Sequence, residues 1–177
     1  MGRIGICLIS LSIFFINFTF AAVMIQNIEV NILDKSIVSC TVNMTGENPK
    51  SVDFKIKIKK ALTDVILYFE SFTLLNNGEY DELLPREEIS ICVIPSTEHL
   101  MANFVYREVS KVSQSSIRCP IMPGEYHIRG VKIFSEDIPS QLTIDNVKLE
   151  VNGSYFEPNF KLRELFTTVI YLVAQQN

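Results

Sequence analysis

Val52-Asp53-Phe54-Lys55-Ile56-Lys57-Ile58-Lys59 alternates apolar and charged residues without a fault. Successive side chains of a strand point to opposite faces, so Val52, Phe54, Ile56 and Ile58 are predicted to face a core and the three lysines to face water. The same lysines would suit a phosphate ligand, but a solvated sheet face accounts for them without one.

Outward from that stretch, short runs rich in β-branched and aromatic residues recur at 25–33, 37–44, 65–75, 126–134, 142–151 and 166–173. Turn residues separate them, at Gly46 to Pro49, Asn76-Asn77-Gly78, Pro123-Gly124 and Pro139-Ser140. Many short strands with turns between them predict an all-β sandwich or barrel. One segment differs: Leu100, Met101, Phe104, Val105, Glu108 and Val112 recur at helical spacing behind Pro95-Ser96-Thr97-Glu98. A helix from about Thr97 to Lys111 is predicted.

The N-terminus reads as a leader. Arg3 precedes an apolar run from Ile4 to Phe20, and Ala21 and Ala22 follow it. A charged start, an apolar stretch and a small-residue end predict a signal peptide at 1–21 and a mature chain starting at Ala22. An uncleaved anchor is the alternative, since about 20 apolar residues can span a bilayer. Polar residues interrupt this run, however, and nothing later in the chain is long and apolar enough to span. The remainder, 22–177, has a length typical of one domain and enough residues for a real core. Removing Arg3 from the 16 basic residues leaves 15 against 20 acidic ones, a net charge of −5. On net charge, nucleic acid and anionic membranes are unfavoured partners.

Cys7 lies in the leader, so Cys40, Cys92 and Cys119 remain. In an oxidising compartment one pair closes and one thiol is left over, with three pairings open. Cys92 with Cys119 is favoured, because the two bracket the predicted helix and would tie it to the strand that follows. Closing that loop is worth roughly 3 kcal/mol in the chain-entropy model. Cys40 is then a small buried hydrophobe in a strand. Asn43-Met44-Thr45 and Asn152-Gly153-Ser154 fit the glycan acceptor pattern, each near the end of a predicted strand where a turn would expose it.

Catalytic patterns are missing from the sequence. There are two histidines, His99 and His127, and no HExxH, GxSxG, P-loop or dinucleotide glycine pattern. The cysteines are too dispersed for a zinc site. The expectation is a protein that binds rather than catalyses, with no cofactor and no metal.

The order of the pieces resembles a known group. An early strand cysteine at Cys40, a lysine-rich strand, Ile91-Cys92-Val93 leading to a helix, and Arg118-Cys119-Pro120 before Gly124-Glu125-Tyr126 follow one another. This is similar to a family of uncharacterised secreted proteins of flies, itself similar to the ML lipid-recognition domains and including chemosensory Che-type proteins. The resemblance covers 23–173. Members commonly carry a further cysteine in the first strand, near Ile28-Glu29-Val30, as partner of the one matching Cys40. That cysteine is missing here, while Cys92 and Cys119 match the retained pair. The resemblance implies a two-sheet β-sandwich of the immunoglobulin-like kind, secreted and extracellular, with a lipid or other apolar small molecule held between the sheets. The residues it would place around that ligand are Val52, Phe54, Ile56, Ile58, Val65, Leu67, Phe69, Ile128, Ile133 and Phe156. The competing expectation is a dry-cored module that docks on an extracellular receptor. The segment Asn76 to Pro85, with Glu79, Tyr80, Asp81 and Glu82, would be its binding loop.

Overall fold

The computed structural model describes residues 22–47, 50–93, 99–113, 118–133, 138–139 and 146–175. The predicted leader at 1–21 lies outside the described residues. The order is β1 (Ala22–Ile32), β2 (Val38–Thr45), β3 (Ser51–Ile58), β4 (Val65–Leu74), β5 (Tyr80–Ser90), α1 (Leu100–Ser110), β6 (Gly124–Val131), β7 (Asn146–Phe156) and β8 (Leu162–Gln175). Two antiparallel sheets form an all-β sandwich with one short helix. One sheet has the order β1-β8-β7-β4-β5 and the other β2-β3-β6.

The alternation of β3 is realised as the sequence predicts. Val52 and Ile58 are buried, Phe54 and Ile56 are half-buried against the core, and Lys55, Lys57 and Lys59 are exposed. β4 opposes them from the other sheet with Val65, Leu67, Phe69 and Ser71 buried at every second position. Ser71 Oγ is the one buried side-chain polar atom without a hydrogen-bond partner among the described residues.

Three irregularities decide which residues face inward. In β1 the pairing with β8 skips Gln26, so Ile25 and the even-numbered Ile28 and Ile32 all reach the core. An extra residue in one strand changes the phase of the pleat, and the spare Gln26 carbonyl accepts from Lys50 Nζ at 2.8 Å. In β6 the ladder to β3 gains a residue at Gly130, whose φ of 77° suits glycine. Its N–H donates to the Asp53 carboxylate at 2.7 Å. In β8 the extra residue is Leu165, so Leu165 is buried while Phe166 also packs against the core.

Three expectations need correcting. The segment Asn76 to Pro85 is not one loop. Its turn is short, with Leu75 N–H donating to Glu79 O and Gly78 N–H to Leu75 O, and from Tyr80 onward the chain is strand β5. β5 is an edge strand, and Pro85 falls where its ladder with β4 skips, a position that needs no donor. The helix begins at Leu100, with His99 as N-cap; Thr97 and Glu98 lie outside the described residues. Finally, Asn152 is not near a turn. It pairs with Tyr68 on one side and Thr167 on the other, in the middle strand of the five. The strand continues because Gly153 leaves room for the ring of Phe166, its cross-strand neighbour. Asn43 is exposed two residues from the end of β2.

Candidate functional site: an apolar cavity between the sheets

The sandwich is shut differently at its two edges. β1 and β2 are joined by the turn 33–37, where Leu33 and Asp34 N–H both donate to Leu165 O. Asp34 is fixed there: it accepts from Ser36 N–H at 3.0 Å, from Ser36 Oγ at 2.6 Å and from the Tyr155 hydroxyl at 3.0 Å. The Ser36 hydroxyl holds the Asp34 carboxyl below its ordinary pKa despite partial burial, and Tyr155 adds to the effect. Burial, with Asp34 beside it, pushes the Tyr155 hydroxyl up, so it stays a donor.

At the opposite edge α1 spans from β5 to β6. Glu87 of β5 reaches the helix N-terminus and accepts from Met101 N–H and Ala102 N–H, both at 3.1 Å. Those amides have no partner within the helix, and a carboxylate there also meets the positive end of the helix dipole. Past the other end of the helix, Ser113 bridges to Ile128 of β6. The Cys92–Cys119 disulfide, with Cα atoms 5.8 Å apart, ties the chain just past β5 to the segment preceding β6. That segment is further held by paired backbone bonds between Leu62 and Ile121.

Between these closures lies a cavity of about 420 Å³. Ile28, Val30 and Ile32 of β1 and Phe166, Thr168 and Ile170 of β8 line it from the large sheet. Cys40 of β2, with Phe54, Ile56 and Ile58 of β3, lines it from the small one. Phe104, Val105, Glu108 and Val109 of α1 close the side. Arg118, Pro120 and Met122 line it while exposed, so it reaches the surface at the segment before β6. The wall is overwhelmingly apolar. Its most buried charge is Glu108, 3% exposed, whose carboxylate accepts from Arg107 Nε at 2.9 Å and Lys111 Nζ at 2.8 Å.

The volume separates this space from a packing defect. Native interiors hold few voids larger than a water molecule. Small-molecule sites measure roughly 300–1,000 Å³.

Of the residues expected around a ligand, Phe54, Ile56, Ile58, Val65, Ile128 and Ile133 line the cavity. Val52, Leu67 and Phe69 are buried in close packing outside its lining. Phe156 is 50% exposed and does not face inward, because its parity in β7 is opposite to that of the buried Val147, Leu149, Val151 and Tyr155. Sequence reasoning missed the contributions of β1, β8 and α1. The alternation of Ile28, Val30 and Ile32 was a usable signal, and the apolar face of α1 was recognised without its position over the gap.

Cys40 is the free thiol among the described residues, half-buried on the cavity wall, and burial raises its pKa. Asp64, Cys92 and Cys119 come close together, but both sulfurs are committed to the disulfide. No helix among the described residues is long and apolar enough to cross a membrane. No protein-family model matches the chain, and no curated protein matches it.

Proposed function

We propose that the protein is an extracellular binding protein for a lipid or other apolar small molecule held between its two sheets. The observation that carries this reading is the cavity of about 420 Å³, apolar on nearly every wall and open at one edge. A disulfide at Cys92 and Cys119 accords with an oxidising compartment. Desolvation of the ligand supplies the affinity, at about 25 cal/mol per Å² of apolar surface removed from water. No covalent chemistry is required of the chain.

The test is Ile56→Trp. Ile56 is half-buried and lines the cavity, so a larger ring there occupies space the ligand would fill. The expected result is loss of uptake of a fluorescent fatty-acyl probe with the melting temperature nearly retained. In a close-packed core the same change costs roughly 1–3 kcal/mol. A variant that melts early, from a parent that takes up no probe and carries no apolar adduct in non-denaturing mass spectrometry, would favour a dry interaction module and sink the carrier.

A further inference from the structure

The two ends of the sandwich differ in character. One end collects the turn 33–37, the connection 59–64, the chain just past β5, the segment before β6 and the β7–β8 hairpin. Six of the exposed large apolar side chains among the described residues lie there: Leu33, Val93, Met122, Phe156, Phe160 and Leu162. The opposite end has Leu74, Leu75 and Tyr80. Isolated surface apolar residues are ordinary, whereas a cluster of them marks a binding surface.

Phe160 is the extreme case. It sits at the tip of the β7–β8 hairpin, 87% exposed, with φ at 61°. Glycine or asparagine usually takes that left-handed position, and a bulky residue there is an outlier. The hairpin is nonetheless well made: Phe160 N–H donates to Glu157 O, Glu157 N–H to Lys161 O, and Lys161 N–H to the Asn159 side chain. An aromatic ring is thus held out from the protein on a defined turn, beside Lys161.

Charge divides along the same axis. The apolar end carries Lys35, Lys59, Lys60, Arg118, Lys161 and Arg163 against Asp34, Asp64, Glu157 and Glu164. Asp34 is bound to Ser36 and Tyr155, Asp64 to Ser90 and the Val65 N–H, and Glu157 to Arg163. Six cations against four carboxylates leave this end with a charge of +2 among the described residues, with Arg163 and Glu157 paired to each other. At the other end Glu47, Glu79, Asp81 and Glu82 face Lys50 and Lys132. The net charge of −4 averages over two ends of opposite sign, so it does not describe either.

We infer that the apolar, basic end is a docking surface for a lipid bilayer with anionic headgroups. Phe160, with Phe156 and Leu162 behind it, enters the headgroup and acyl boundary while the cations meet lipid phosphates and carboxylates. Met122 is part of this end and also of the cavity wall, so a docked molecule turns the cavity opening toward the bilayer.

The experiment is co-sedimentation of the folded chain from Ala22 onward with vesicles of equal parts phosphatidylcholine and phosphatidylserine, and with vesicles of phosphatidylcholine alone. Binding to the first that weakens with added salt is expected. Phe160→Asp together with Lys161→Glu should weaken it by about tenfold or more, since each surface cation contributes on the order of 1 kcal/mol to such binding. Aspartate tolerates the left-handed backbone, so the hairpin is retained. Leu75→Asp at the acidic end should leave binding unchanged. Wild-type protein that stays in the supernatant overturns the inference, as does a Leu75→Asp loss equal to that of the double variant. Vesicle binding is read without any cavity ligand, so its failure and failure of the carrier reading are separate results.

Discussion

Asp34 is a single carboxylate that joins the β1–β2 turn to β7. Its pKa is lowered first by the Ser36 hydroxyl and then by Tyr155, so the folded chain holds a proton there less readily than the unfolded chain. The stabilisation is therefore full above the unfolded carboxylate pKa of about 3.9 and is lost as pH falls through the lower folded value. Asp34→Asn removes that dependence. Urea unfolding should show wild type more stable than the variant at neutral pH, with the gap closing below about pH 4. A gap that stays constant on acidification would remove Asp34 from the account. At this scale the sequence was legible where alternation is strict, as at Val52 to Lys59. It was illegible where a neighbour decides the outcome: Gly153 reads as a turn residue, yet it lies mid-strand because the ring of Phe166 occupies the space where a Cβ would sit.

The helix α1 depends on a residue from another element. No side chain caps it locally at His99, and its first amides are satisfied by Glu87 of β5. Glu87→Ala leaves those amides without their charged acceptor and should destabilise by about 1.5–3 kcal/mol, measured by denaturant midpoint, with Glu87→Gln in between. Equal midpoints for the three proteins would mean the helix end is served by water. The apolar spacing from Leu100 to Val112 made this helix readable, whereas its capping was not, because Glu87 lies thirteen residues before the first helical position. β5 was misread for a related reason. An edge strand has one row of backbone groups in water, so it tolerates Pro85, a residue that a central strand would exclude.

For the whole molecule, two sheets and their inward faces follow from periodicity, while the space between them does not. Whether apposed apolar faces meet or stand apart depends on what props them open, here the helix and the 118–122 segment along one edge. Both are fixed by contacts that join distant parts of the chain, and no local pattern announces such contacts. The Cys92–Cys119 bond, spanning 27 residues, is one of them, and its loss through Cys92→Ser with Cys119→Ser should cost about 3.5 kcal/mol in the chain-entropy model, read as a lower denaturant midpoint. It also has a kinetic side. With β1 and β2 acting as a hinge along one edge, the disulfide is the clasp on the other, and it limits how far the covers can part. A clasp of this kind slows entry and exit alike, so, on the carrier reading proposed above, the reduced protein should exchange ligand faster at little change in equilibrium occupancy. On that reading, residence time would then follow the redox state of the surroundings, with the walls around the ligand unchanged.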